Sequence, residues 1–355
     1  VKVARTLGIA VLAALVVTIS HALLAQEKSE DAIEIQYGNI VRRTAPVKII
    51  RETYKIVRYG IPQEGKYAPQ DEPTENVVSV EHGDRPQKFI DAEEDRDKGA
   101  YETAIGKYRA CIKFEEQEWV KVYSSFYVAE CYFLWARTDP SKFEEALKSY
   151  DNFIAQFPDH RLVPAAWKGK ADCANKLKKS QIAQEAYEQM AKGEFGLKYK
   201  YWGEVGLAQI DMAHGKLEQG LERIKKILAD INAQKVPGVV AACRLLLAKG
   251  LVATKKYDEA IKNLKETVSK PEGVGKEVMA TAHNLLGDCY RQLGSTQDTE
   301  RALLEYLKVV LLYSDIEAEY VSALPKATEL AESLGGDTYK NVIRDLKEEA
   351  RKLQK

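Results

Sequence analysis

Two patterns of apolar spacing divide the chain. In the roughly 60 residues after an opening apolar run, short segments alternate apolar and polar positions, the period of a strand with one buried face. AIEIQY (32–37) and NVVSVE (76–81) alternate, and VKIIRETYKIVRY (47–59) is rich in β-branched and aromatic residues. They predict three to five short strands, with a turn at Gly38-Asn39. IPQEGKYAPQDEPTE (61–75), carrying Pro62, Pro69 and Pro73, reads as a loop. HGDRP (82–86) ends this stretch, with Asp84 placed to cap the helix that follows. About 50 residues of this texture suit a small β-rich module, SH3-like or barrel-like, over 26–86.

From residue 87 onward the apolar positions fall three and four apart, as in Tyr257, Ile261, Leu264 and Val268, which places them on one helical face. A longer unit is superimposed on that period. A small residue is followed by a second one, and the second by a large apolar residue four positions on. The first small residues are Ala92, Ala129, Ala171, Ala208, Ala248 and Gly287; the second are Ala104, Ala146, Ala183, Gly220, Ala260 and Ala302. Their separations are 12, 17, 12, 12, 12 and 15, the longer two containing RTDPSK (137–142) and GSTQDT (294–299). Four residues after each second small residue come Tyr108, Tyr150, Tyr187, Ile224, Leu264 and Tyr306, and three later Cys111, Phe153, Met190, Ile227, Thr267 and Val309. Each unit therefore predicts two helices joined by a tight turn at Gly99, Gly215, KLKKS (176–180) or TKK (254–256). Glycine inside a helix costs about 1 kcal/mol relative to alanine, so Gly287 predicts a neighbour too close for any side chain. Residues 319–354 read as a final pair that caps the array.

The units resemble tetratricopeptide repeats. Leu286, Gly287 and Tyr290 match the Leu-Gly-x-x-Tyr stretch of the first helix, Trp167 with Ala171 matches the aromatic that precedes the small residue, and Pro158 falls where a proline commonly closes a repeat. The likeness covers about 87–315 and implies a mostly α fold: a solenoid of tetratricopeptide-like helical hairpins over 87–355, behind a small β-rich module and an N-terminal hydrophobic segment. Successive second small residues lie 42, 37, 37, 40 and 42 apart, against about 34 in the standard repeat, so the units are irregular. YDNFIAQFPDHRLVPAAWKGKADC (150–173) is similar to repeats of bacterial envelope proteins that coordinate cell-envelope constriction or assist outer-membrane assembly. The resemblance implies a non-catalytic scaffold of the bacterial cell envelope, binding a protein or peptide on the concave face of its repeats. The alternative is a membrane-anchored accessory subunit of a larger envelope complex.

Charge narrows the partners. Lys+Arg 53 and Asp+Glu 53 cancel, which removes any general attraction to nucleic acid. GLKYKYWGE (196–204) interleaves bases with aromatics, yet Tyr201 and Trp202 also suit the start of a packed helix. Lys2 and Arg5 precede the acid-free run LGIAVLAALVVTISHALLA (7–25), the layout of a signal peptide cleaved near Ala25 or of a retained membrane anchor, and hence of a periplasmic or envelope protein. Five scattered cysteines, with no CxxC, read as small core residues. The histidines at 21, 82, 160, 214 and 283 are far apart in sequence, His214 beside a predicted helix end. No metal-ligand cluster, cofactor motif or catalytic constellation is predicted. By helical phase the binding face is expected to carry Lys168, Asp172, Asn175, Trp202, Gln209, Asn284, Asp288 and Arg291, with amides for an extended peptide backbone and Trp202 as anchor.

Overall fold

The computed structural model describes residues 30–38, 40–114, 116–230 and 235–352. The apolar run 7–25 lies outside them. Among the described residues no helix is long and apolar enough to cross a membrane. The chain divides into two compact units, Val1–Ala166 and Trp167–Lys355.

The first unit opens with five antiparallel strands, β1 (Asp31–Tyr37), β2 (Ile40–Glu52), β3 (Ile56–Gln63), β4 (Lys66–Pro73) and β5 (Val77–Glu81), in the order β4-β3-β2-β1-β5. The long β2 serves two partners: its first half pairs with β1 from Tyr37↔Ile40 to Asp31↔Val47, its second with β3 from Lys48↔Gly60 to Glu52↔Val57. Ile33, Ile35, Val47, Val57, Tyr59 and Val80 form the buried face. Residues 61–75, expected as a loop, are instead the tip of β3, all of β4 and the start of a 3-10 turn, Thr74–Asn76. Glu64 and Gly65 both have positive φ and make a two-residue hairpin turn in which Gln63 pairs with Lys66. The prolines are tolerated because Pro69 and Pro73 sit on an edge strand, and Pro62 lies beyond Gly60, where β3 no longer pairs with β2.

Fourteen helices follow among the described residues, as seven hairpins: α1 (Gln87–Asp97) with α2 (Tyr101–Phe114), α3 (Glu118–Trp135) with α4 (Phe143–Gln156), α5 (Val163–Lys176) with α6 (Ser180–Ala191), α7 (Leu197–Ala213) with α8 (Leu217–Ala229), α9 (Pro237–Ala253) with α10 (Tyr257–Val268), α11 (Lys276–Leu293) with α12 (Thr296–Leu312), and α13 (Glu317–Leu334) with α14 (Asp337–Lys352). The fold is mostly helical and tetratricopeptide-like. Asp84 does not cap α1, whose cap position is Pro86. Its carboxylate accepts hydrogen bonds from Gln117 Nε2 and Trp119 Nε1 at the start of α3, at 3.0 and 3.1 Å.

The twelve small residues are all buried, and the glycines among them show why. A Cβ on Gly287 would stand 2.5 Å from the Tyr306 ring, and one on Gly220 would stand 2.8 Å from the Ala208 carbonyl. Tyr108, Tyr150, Tyr187, Ile224, Leu264 and Tyr306 are buried beside them, as are the six residues three positions further on. Burying each such large side chain contributes roughly 1.5–3 kcal/mol, more than the helix propensity that Gly287 gives up. Thr267 fits this apolar site because its hydroxyl bonds the Asn263 carbonyl one turn back.

The turns repeat as closely as the helices. Gly99, Lys178, Gly215 and Lys255 are all left-handed, and each is followed by a residue whose N–H reaches back five positions, to Asp95, Ala174, Asp211 and Leu251. This is the Schellman closure of a helix. Lysine holds that conformation at a cost of about 1 kcal/mol. Lys178→Gly and Lys255→Gly are each expected to raise stability by about 0.5–1 kcal/mol in urea unfolding, with no change in circular dichroism.

Candidate functional site

The second unit carries the residues expected to bind a partner, and a repeated tyrosine–aspartate bond organises them. Tyr187 on α6 donates to Asp172 on α5 at 3.3 Å, and Tyr306 on α12 donates to Asp288 on α11 at 2.7 Å. In both cases the tyrosine lies four residues after the second small residue and the aspartate one after the first. Burial, then the neighbouring carboxylate, pushes both phenols well above their usual range, so they remain donors.

A lysine completes each pair. Lys168 Nζ lies 2.6 Å from Asp172 and 5.0 Å from the centre of the Trp202 ring. Trp202, on α7, is half-buried, and a Cβ on Gly238 at the start of α9 would stand 3.7 Å from it. Lys168, Asp172 and Trp202 are therefore brought together, while Asn175 is exposed at the end of α5 and Gln209 is half-buried on α7. Tyr201 is buried and donates to Asp230 at 2.7 Å. A cleft of about 470 Å³ lies beside it, lined by Lys200, Glu204, Arg223 and Asp230 among others.

The other three residues bridge two successive first helices. Asn284, expected to face outward, is buried, and its amide donates to the Glu319 carbonyl and carboxylate on α13 at 3.0 and 2.5 Å. Asp288 accepts from Lys326 at 2.8 Å, and Arg291 pairs with Glu329 at 2.6 Å. The face of α11 that helical phase picks out meets the next first helix, which takes up all three side chains.

The histidines of the first unit do not stay solitary. His82 Nε2 lies 3.0 Å from Glu52 Oε1 at the end of β2, and His160 Nε2 lies 4.0 Å from the same oxygen. Arg161 Nε and the Tyr123 hydroxyl donate to Glu52 Oε2, each at 2.6 Å. Trp119 stacks on His82 with ring centres 4.2 Å apart. Burial pushes the Glu52 carboxyl up, but the His82 hydrogen bond and the charge of Arg161 outweigh it and hold the group at about 2. This network ties the sheet to α3 and to the segment before α5. No motif spacing signals it, because Glu52 and Arg161 are 109 residues apart. His283 pairs with Glu305 at 2.6 Å, and His214 is exposed at the end of α7. All five cysteines are buried; burial raises Cys131, Cys173 and Cys243 to about 12.

The model of the tetratricopeptide repeat matches residues 245–311, which include α10, α11 and α12. Residues 245–311 thus match the tetratricopeptide repeat, and the fold around them is tetratricopeptide-like. No curated protein matches it in sequence. Among solved structures it is similar to a signal transduction ATPase with numerous domains and a tetratricopeptide repeat sensor from Pyrococcus horikoshii, at 14% identity and TM-score 0.51, over 75% of this chain and 43% of that one. A tetratricopeptide repeat protein from Parabacteroides merdae matches at 16% identity and TM-score 0.43, over 74% of this chain and 98% of that one. Pseudomonas aeruginosa pilF matches at 15% and 0.43, over 66% and 94%. At 14% identity the likeness to the first of these is one of fold.

Burial holds His160 at about 4, below its ordinary 6.5, so it stays neutral in the folded chain and takes up a proton on unfolding between those values. Stability supplied by a depressed histidine is present above pH 6.5 and lost as pH falls toward 4; Glu52 adds to the loss between about 4.5 and 2. The unfolding free energy from urea titration is expected to fall on acidification from pH 6.5 to 4, by on the order of 2 kcal/mol, and His160→Gln is expected to flatten that slope.

Proposed function

We propose that the protein is a non-catalytic interaction scaffold of the bacterial cell envelope, binding a peptide or protein partner on the face of its first helices around Trp202. The observation that carries this reading is the setting of Trp202, half-buried between Lys168 on α5 and the N-terminus of α9. A rigid aromatic with a cation on its ring supplies a large contact at low entropic cost. Lys198, one turn before it on α7, is exposed and is not needed for the packing described above. Support for the compartment comes from Lys2, Arg5 and the apolar run 7–25.

That run has about the 20 apolar residues a membrane-spanning helix requires, and it favours a second reading, an accessory subunit held at the membrane within a larger complex. Sequencing the N-terminus of the native protein separates the two: Gln26 as first residue supports the soluble scaffold.

Affinity capture from native envelope extract tests the binding face. Trp202→Ala is expected to reduce recovery of at least one partner about tenfold or more, and Lys198→Glu is expected to reduce the same partner without altering the fold. An unchanged partner set for both variants, with wild-type circular dichroism, rejects the proposed face.

A further inference from the structure

The pairing of Ala32 with Glu81 brings the start of β1 beside the end of β5, and with it three side chains that the sequence keeps apart. One carboxylate oxygen from each of Asp31 and Asp84 and one ring nitrogen of His82 lie within 4.8 Å of one another. Both carboxylates accept hydrogen bonds from neutral donors, Asp31 from the N–H groups of Ile49 and Gly83, each at 2.9 Å, and Asp84 from Gln117 and Trp119. Neither has a lysine or arginine partner among the described residues. Each oxygen keeps a lone pair, so two negative charges share a small space without a counter-charge.

His82 points independently to what supplies that charge. It is only 9% exposed, its Nε2 is committed to Glu52, and its Nδ1 has no hydrogen-bond partner among the described residues. Glu52, itself fixed by Arg161 and Tyr123, assigns the proton to Nε2 and leaves the lone pair on Nδ1. A carboxylate behind the outer nitrogen is the arrangement that orients a metal-ligating histidine. The Trp119 ring on one side and Tyr123 at its edge hold the imidazole in place.

We propose that Asp31, His82 and Asp84 bind a divalent transition-metal ion of the zinc type. An imidazole with two carboxylates suits such an ion, whereas Ca²⁺ and Mg²⁺ prefer oxygen alone. The exposed side of Asp84 leaves room for water as a further ligand. The bound ion neutralises the carboxylate pair and clamps β1 to the segment that leads into α1.

The test uses the full chain stripped with chelator. Titration calorimetry is expected to show Zn²⁺ binding with a dissociation constant on the order of 10 µM or tighter, and about 100 µM Zn²⁺ is expected to raise the melting temperature by about 4 °C, while Ca²⁺ does not. Co²⁺ is expected to give visible absorption bands that Zn²⁺ displaces. Asp84→Asn, which keeps an acceptor for Trp119, is expected to weaken Zn²⁺ at least tenfold while melting like wild type without metal. His82→Gln is expected to abolish binding; should it fail to fold, Asp84→Asn decides alone. Absence of Zn²⁺ binding to the stripped wild type, or wild-type affinity in Asp84→Asn, overturns the assignment.

Discussion

The helical part of the chain rests on one steric constraint: two rods can nest only where neither carries a side chain larger than a methyl group, and a large apolar residue one turn on must fill the space beside the contact. Ala or Gly meets the first condition in every hairpin from α1/α2 to α11/α12, and Tyr, Ile or Leu meets the second. Where Gly replaces Ala the approach is closest, Tyr306 lying against the bare backbone of Gly287.

Polar groups take their positions from the same frame. Because a tyrosine fills the crossing, its hydroxyl emerges beside the residue after the small one, and aspartate there receives it at both 172 and 288. Lys168, one turn earlier on the same helix as Asp172, and Lys326, on α13, then pair with the aspartates. The arrangement leaves Trp202 half-buried beside a paired lysine, packed at the edge of the core around Tyr201 and Val205. In the first unit an analogous economy operates around Glu52. A buried carboxylate is costly unless every lone pair is used, and His82, Arg161 and Tyr123 use them.

The helix hairpins were legible in the sequence because their determinants are local and periodic: small residues at 12-residue spacing, apolar residues four and three further on, and glycine or lysine at the turns. The β3–β4 hairpin was not, since Pro62, Pro69 and Pro73 carry a loop signal that only edge position removes. The spacing of Asp84 to α1 suggests a cap, yet Gln117 and Trp119 lie within reach once α3 packs. Asn284 was placed outward by a phase rule for one helix, whereas Glu319 covers it from the next repeat. The convergence of Asp31, Glu52, His82 and Arg161 is set by strand pairing and helix docking, which no spacing within the chain encodes.

Gly106 and Gly287 both lie inside helices, and they differ in what an added methyl group meets. At Gly106 there is open space within 4 Å; at Gly287 there is the Tyr306 ring. Urea unfolding of Gly106→Ala and Gly287→Ala compares them directly. The steric account predicts that Gly106→Ala gains up to about 1 kcal/mol from helix propensity, while Gly287→Ala loses about 1–3 kcal/mol to overpacking. Equal stabilisation by both substitutions would contradict it.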